Sequence, residues 1–126
     1  MNIDDLTIGE AKSIASMFQT STRDIATNFH DKYVVVRTYS AGVHTGTLLA
    51  RDGREVILRD ARRIWYWDGA ASISQLAKHG VAKPDNCKFS VSVKEILLTE
   101  AIEIIPCTEQ AELNIKSVKD WTAQDE

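Results

Sequence analysis

The densest run of side chains able to do chemistry is Arg59-Asp60-Ala61-Arg62-Arg63-Ile64-Trp65-Tyr66-Trp67. A guanidinium forks onto phosphate oxygens and also stacks on rings. Indole and phenol faces accept a stacked nucleobase, at about 1–3 kcal/mol per base. Arginine interleaved with aromatics is therefore what a nucleotide-like ligand requires. The run also fits a structural role, with its rings in the core and its arginines in solvated pairs with Asp52, Glu55 and Asp60. Alternation along an extended segment sends Arg63, Trp65 and Trp67 to one side and Arg62, Ile64 and Tyr66 to the other. Arg62 and Arg63 are thus not expected to serve one pocket equally.

Two further clusters carry ligand chemistry. In Arg37-Thr38-Tyr39-Ser40-Ala41-Gly42-Val43-His44, hydroxyls and the backbone amides of a glycine turn can hold a phosphate or a ribose. An ordinary polar hairpin has the same composition. In Asn86-Cys87-Lys88-Phe89, an aromatic and a basic residue at a loop-to-strand junction can close a pocket, or Phe89 can fill the core. Phe89 opens an alternating strand beside a polar loop, which predicts a place at the core's rim, where a ligand reaches its face.

Signals for catalysis are missing. His30, His44 and His79 fall on different predicted elements without metal-ligand spacing. There is no G-x-S-x-G, P-loop or G-x-G-x-x-G, and no spacing nominates an acid–base pair among the carboxylates. The expectation is a binding protein, not an enzyme, without metal or cofactor. Cys87 and Cys107 are too few for a disulfide framework and lack C-x-x-C spacing, so free buried thiols are expected.

The elements that must position these clusters are legible from periodicity. Thr7 and Glu10 form a capping box, and Ile8, Ala11, Ile14, Ala15 and Phe18 line one face of a first helix ending near Gln19 or Thr20. Tyr33 to Thr38 reads as a strand whose Val34-Val35-Val36 predicts burial on both faces. Ser40-Ala41-Gly42 turns the chain into a second strand from Val43 to Ala50, and Asp52-Gly53 makes the next hairpin. Glu55 to Leu58 and Arg62 to Trp67 read as two further extended segments. Ser72, Gln75 and Gly80 bracket a short helix. Phe89, Val91 and Val93 alternate with serines as a half-buried strand, Ile96 to Leu98 and Ala101 to Ile105 supply more, and Thr108 caps a last helix to about Val118. The expected class is α+β: an N-terminal helix, an antiparallel sheet with a short inserted helix, and a C-terminal helix.

At 126 residues, with 44% hydrophobic and 26% charged residues, the chain suits one soluble domain with one core. Residues 1–30 are expected to be helical and to lie at a subunit interface, 32–118 to form the sheet-rich body, and 119–126 a tail that is polar except for Trp121. No apolar run nears the roughly 20 residues that span a bilayer, which argues against membrane insertion. The start is acidic, without a basic-then-apolar leader, so a cytoplasmic protein is expected. The net charge of −3 is unevenly spread. Residues 32–63 hold seven Lys/Arg against three acids, and residues 89–126 three against eight. A basic region on an acidic chain suits a small anionic ligand better than a nucleic acid.

The strings VVVRTYSAGVHTGTL, DARRIWYWDGAASISQLAKHGV, KPDNCKFSVSV and ILLTEAIEIIPCTEQA occur in this order over residues 32–118. They resemble a small domain widespread in bacteriophage genomes. Preceded by LTIGEAKSIASMF, the chain resembles the first-described type of Thoeris anti-defence protein. These are phage-encoded sponges that bind the defence signal without cleaving it. The resemblance implies a ligand among the glycocyclic ADP-ribose isomers and cyclic trinucleotides of CBASS immunity at a separate site. It also implies a homo-oligomer, dimer or hexamer, in the cytoplasm of the infected bacterial host. The ligand-binding residues it suggests are Phe89, Asn86, Arg62, Arg63 and Trp65, and the composition of the clusters adds Lys88, Tyr39 and Ser40. The alternative is a phage accessory domain associated with nucleic acid or virion assembly.

Overall fold

A computed structural model of the chain describes residues 29–123. Six strands form one antiparallel sheet: β1 (Tyr33–Thr38), β2 (Val43–Asp52), β3 (Glu55–Tyr66), β4 (Lys88–Phe89), β5 (Val93–Leu98) and β6 (Ala101–Pro106). The order is β4-β3-β2-β1-β6, and β5 pairs with the first part of β3 on the same outer edge that β4 pairs with at its end. The class is α+β. The expected first helix over residues 7–20 lies outside the described residues. No helix among the described residues is long and apolar enough to cross a membrane.

The sheet has a core on each face, and β1 belongs to both, as its unbroken valine run predicts. Val34 and Val36 pack with Leu48, Val56, Leu58 and Leu98 on one side. Tyr33 and Val35 pack with Ile64, Phe89, Leu76 and Ile115 on the other. The last two residues come from helices α1 (Ile73–His79) and α2 (Glu109–Ser117), which cover that second face.

Both helix starts follow from capping chemistry. The Gln75 amide donates to Ser72 Oγ at 3.2 Å, and the Gln75 side chain returns to accept from the Ala71 amide at 2.8 Å. Thr108 Oγ1 accepts from the Ala111 amide at 3.0 Å. At the end of α1, Gly80 sits at φ 79°, ψ −157°, a conformation that L side chains avoid. A Cβ there would also lie 2.4 Å from Asn114 Oδ1. That oxygen accepts from the Val81 amide, and Asn114 Nδ2 donates to Val81 O, so this contact ties α2 to the end of α1. Gly80→Ala is expected to destabilise the fold by about 1–3 kcal/mol from the backbone alone, and further by displacing Asn114. Chemical denaturation checks this: a shift below that range would mean the segment repacks freely.

Two sequence expectations are corrected. Glu55–Leu58 and Arg62–Trp67 are not separate strands, because β3 runs unbroken through Asp60, which takes φ 52° in a bulge. Thr47 pairs with Arg59 and Thr45 with Arg62, so Asp60 and Ala61 face Gly46 alone. Nor do Phe89, Val91 and Val93 share one half-buried strand. After Phe89 the ladder is only half kept: the Ser90 amide still donates to Arg63 O at 2.8 Å, but the Arg63 amide donates to Ser90 Oγ, also at 2.8 Å. Pairing resumes with Val93 opposite Ala61, leaving Val91 and Val93 exposed.

Candidate functional site

Register places the first and second clusters side by side. Val43 pairs with Ile64, so the Ser40–Gly42 turn that precedes Val43 lies next to Trp65. Ser40, Ala41, Gly42, Arg63, Ile64 and Trp65 line a cleft of about 400 Å³. The turn is held from within: Thr38 Oγ1 donates to Gly42 O and accepts from the Ala41 amide, both at 2.8 Å. It is also held from outside, where the Tyr39 amide donates to Glu100 O at 3.0 Å and Ser40 Oγ donates to the Glu100 carboxylate. Gly42 takes φ +87°, a value that turns the chain back without strain only for glycine.

Arg63 brings positive charge to this cleft. Its side chain is exposed, and its Nε donates to Nε2 of His44 at 3.1 Å. His44 lies opposite Arg63 in the register and is itself buried. Burial, helped by the Arg63 charge, pushes its imidazole down to about 4, so it is neutral at pH 7 and able to accept. The two terminal nitrogens of Arg63 have no partner among the described residues. Trp65 is 65% exposed and offers a ring face beside that charge.

The structure separates Arg63 from Arg62, as alternation predicts. Arg62 is buried and all its donor nitrogens are engaged. Nε reaches Ser90 O and Nη1 reaches Ile115 O, both at 3.0 Å, and Nη2 reaches Asp120 Oδ1 at 3.1 Å. Its guanidinium carbon stands 5.1 Å from the centroid of the Phe89 ring. Phe89 is fully buried, so the expectation of a rim position with a reachable face is corrected: Arg62 covers its ring and the tail pairs with its backbone.

The remaining candidates do not line the cleft. Asn86 donates to Asp68 at 3.1 Å in the turn before β4. Lys88 holds its ammonium 5.0 Å from the Trp121 ring centroid. Tyr39 is 79% exposed beside the turn. Of the eight expected residues, the cleft gathers Arg63, Trp65 and Ser40. Sequence reasoning passed over Trp121, whose indole stacks on Trp65 with 6.5 Å between ring centroids. The available signal was a lone tryptophan in an otherwise polar tail. Cys87 and Cys107 are both free, and burial pushes both thiols up, Cys107 to about 12.

Comparison with protein families matches residues 31–115, more than half of the chain, to a family described as a domain of unknown function, DUF6948. Comparison with curated proteins found no match.

Proposed function

The chain belongs to the DUF6948 family, and we propose that it binds and holds a cyclic nucleotide immune signal of the glycocyclic ADP-ribose class without cleaving it. The observation that supports this above the others is the cleft that joins Arg63, Trp65 and the Ser40–Gly42 turn around about 400 Å³. That volume lies within the range of small-molecule sites. A cyclic ADP-ribose isomer has one purine, two riboses and a pyrophosphate. The purine stacks on Trp65, and the pyrophosphate takes the free nitrogens of Arg63. Glu100 beside Ser40 repels phosphate and accepts from ribose hydroxyls, which orients the ligand with its phosphates toward Arg63. The same proposal, resting on the sequence resemblance, includes a homo-oligomer, a separate site for cyclic trinucleotides and the cytoplasm of an infected bacterium.

The test is to incubate the protein with a glycocyclic ADP-ribose, remove free ligand, heat-denature the complex and analyse what is released. Intact signal is expected. A cleaved product would make the protein an enzyme, and no retained ligand would return it to the accessory-domain alternative. Arg63→Ala and Trp65→Ala are each expected to weaken capture by roughly tenfold to a hundredfold, the loss of one charge-assisted contact or one stacked base. Unchanged retention by both variants would remove the cleft from the account.

A further inference from the structure

The tail places a second indole against the first. Trp121 and Trp65 lie nearly parallel, 15° apart in plane and 6.5 Å between ring centroids. Both rings keep most or half of their surface in water, Trp65 at 65% and Trp121 at 49% exposed. Each indole therefore keeps ring surface that a further planar partner can cover.

Trp121 is positioned by its backbone and its neighbours, not by burial of its ring. Its amide donates to Phe89 O at 2.8 Å, and the preceding Asp120 is held by Arg62. The Lys88 ammonium lies 5.0 Å from the Trp121 ring centroid and adds a positive charge beside the pair. With the main chain anchored, the indole can tilt about its own side-chain torsions without detaching the tail. Trp65 is at the same time a wall of the cleft that contains Arg63.

We propose that Trp65 and Trp121 form a nucleobase clamp: the stacked indoles part, and the planar base of a free adenine nucleotide enters between them, with its phosphate toward Arg63. The clamp deepens the proposed function and rests on that reading of the cleft. It adds a residue outside the matched 31–115 segment to the site. A single-stranded nucleic acid also presents bases, but a polyanion meets the acidic C-terminal region of a chain with net charge −3. The free nucleotide is the favoured ligand.

Titration with AMP, followed by tryptophan fluorescence, tests the clamp. AMP is expected to quench the parent protein. Trp121→Ala is expected to bind AMP at least tenfold more weakly, and Trp121→Phe, which keeps a ring, within about threefold of the parent. Ribose 5-phosphate, which has no base, should bind the parent and Trp121→Ala alike. A melting curve on each variant verifies folding, and Trp121→Phe carries the comparison with Trp65→Ala if the alanine variant melts low. Equal AMP affinity for the parent and Trp121→Ala, or no AMP binding by the parent, overturns the clamp. A ten-residue deoxyadenylate that binds much more tightly than AMP in a Trp121-dependent way overturns the free-nucleotide assignment. Trp121-dependent AMP binding with no capture of cyclic ADP-ribose keeps the clamp and removes the signal reading. Capture that depends on Arg63 and Trp65 but not Trp121 does the reverse.

Discussion

Replacing Arg62 with methionine is expected to lower stability by about 3–5 kcal/mol, the scale seen when one partner of a buried charged network is removed. The side chain is 7% exposed, and methionine fills much of its length, so the loss is chiefly polar. Ser90 O loses its donor, at about 1–3 kcal/mol for a carbonyl left unpaired, and Ile115 O loses one of its two donors but keeps the Val118 amide at 3.2 Å. The stacking of the guanidinium on Phe89 is lost as well. Asp120 is half exposed and returns to water, which limits its share. Arg62→Lys should recover only part, because one ammonium cannot fork onto three acceptors. The measurement is a urea titration of each variant, reading a lower midpoint at unchanged slope. A loss under about 1 kcal/mol would show that the carbonyls are rehydrated and that Arg62 is not what joins β3, the Ser90 segment and the end of α2.

Phe89→Ala is the second large loss, again about 3–5 kcal/mol of stability. Phe89 is the largest of the fully buried side chains among the described residues. It stands opposite Ile64 and in one core with Leu76, Ala111 and Ile115. Removing the ring leaves a cavity that both helices and the sheet border, and β4 is only two residues long and poorly able to close it. Phe89→Leu should lose less, because it keeps most of the volume. Thermal melting without ligand reads the loss, and ligand titration of the folded fraction should give the parent's affinity. A variant that melts like the parent but binds tenfold more weakly would move Phe89 from the core to the ligand.

Local signals carried much of the architecture. The caps at Ser72 and Thr108 and the glycine at position 80 act within a few residues, and the structure forms all three where the pattern indicates. The valine run of β1 is buried on both faces, because a strand covered on both sides has no polar position to alternate. Expectations failed where a non-local partner intervened. Residues 59–61 fall between the two extended segments expected, yet the chain accommodates Asp60 as a bulge against Gly46, and β3 continues. The serines after Phe89 read as the wet side of a strand, yet the Ser90 hydroxyl takes the Arg63 amide in place of a carbonyl, and the regular ladder ends there.

The candidate site divides along the same line. By itself the sequence determined that Arg62 and Arg63 point to opposite faces, because side-chain alternation is a property of any extended backbone. It also determined that arginine, indole and a glycine turn are present as ligand chemistry. Only the tertiary structure decided which arginine is buried, because that depends on where the ends of α2 and β4 pack, 28 to 58 residues further along. Only the register of β2 on β3 brought Ser40 and Gly42 to Arg63 and Trp65. Only the pairing of the tail with Phe89 set Trp121 on Trp65. Composition and periodicity act over a turn or a pleat, whereas a binding surface is assembled from residues distant in the chain, whose meeting is set by the packing of the whole.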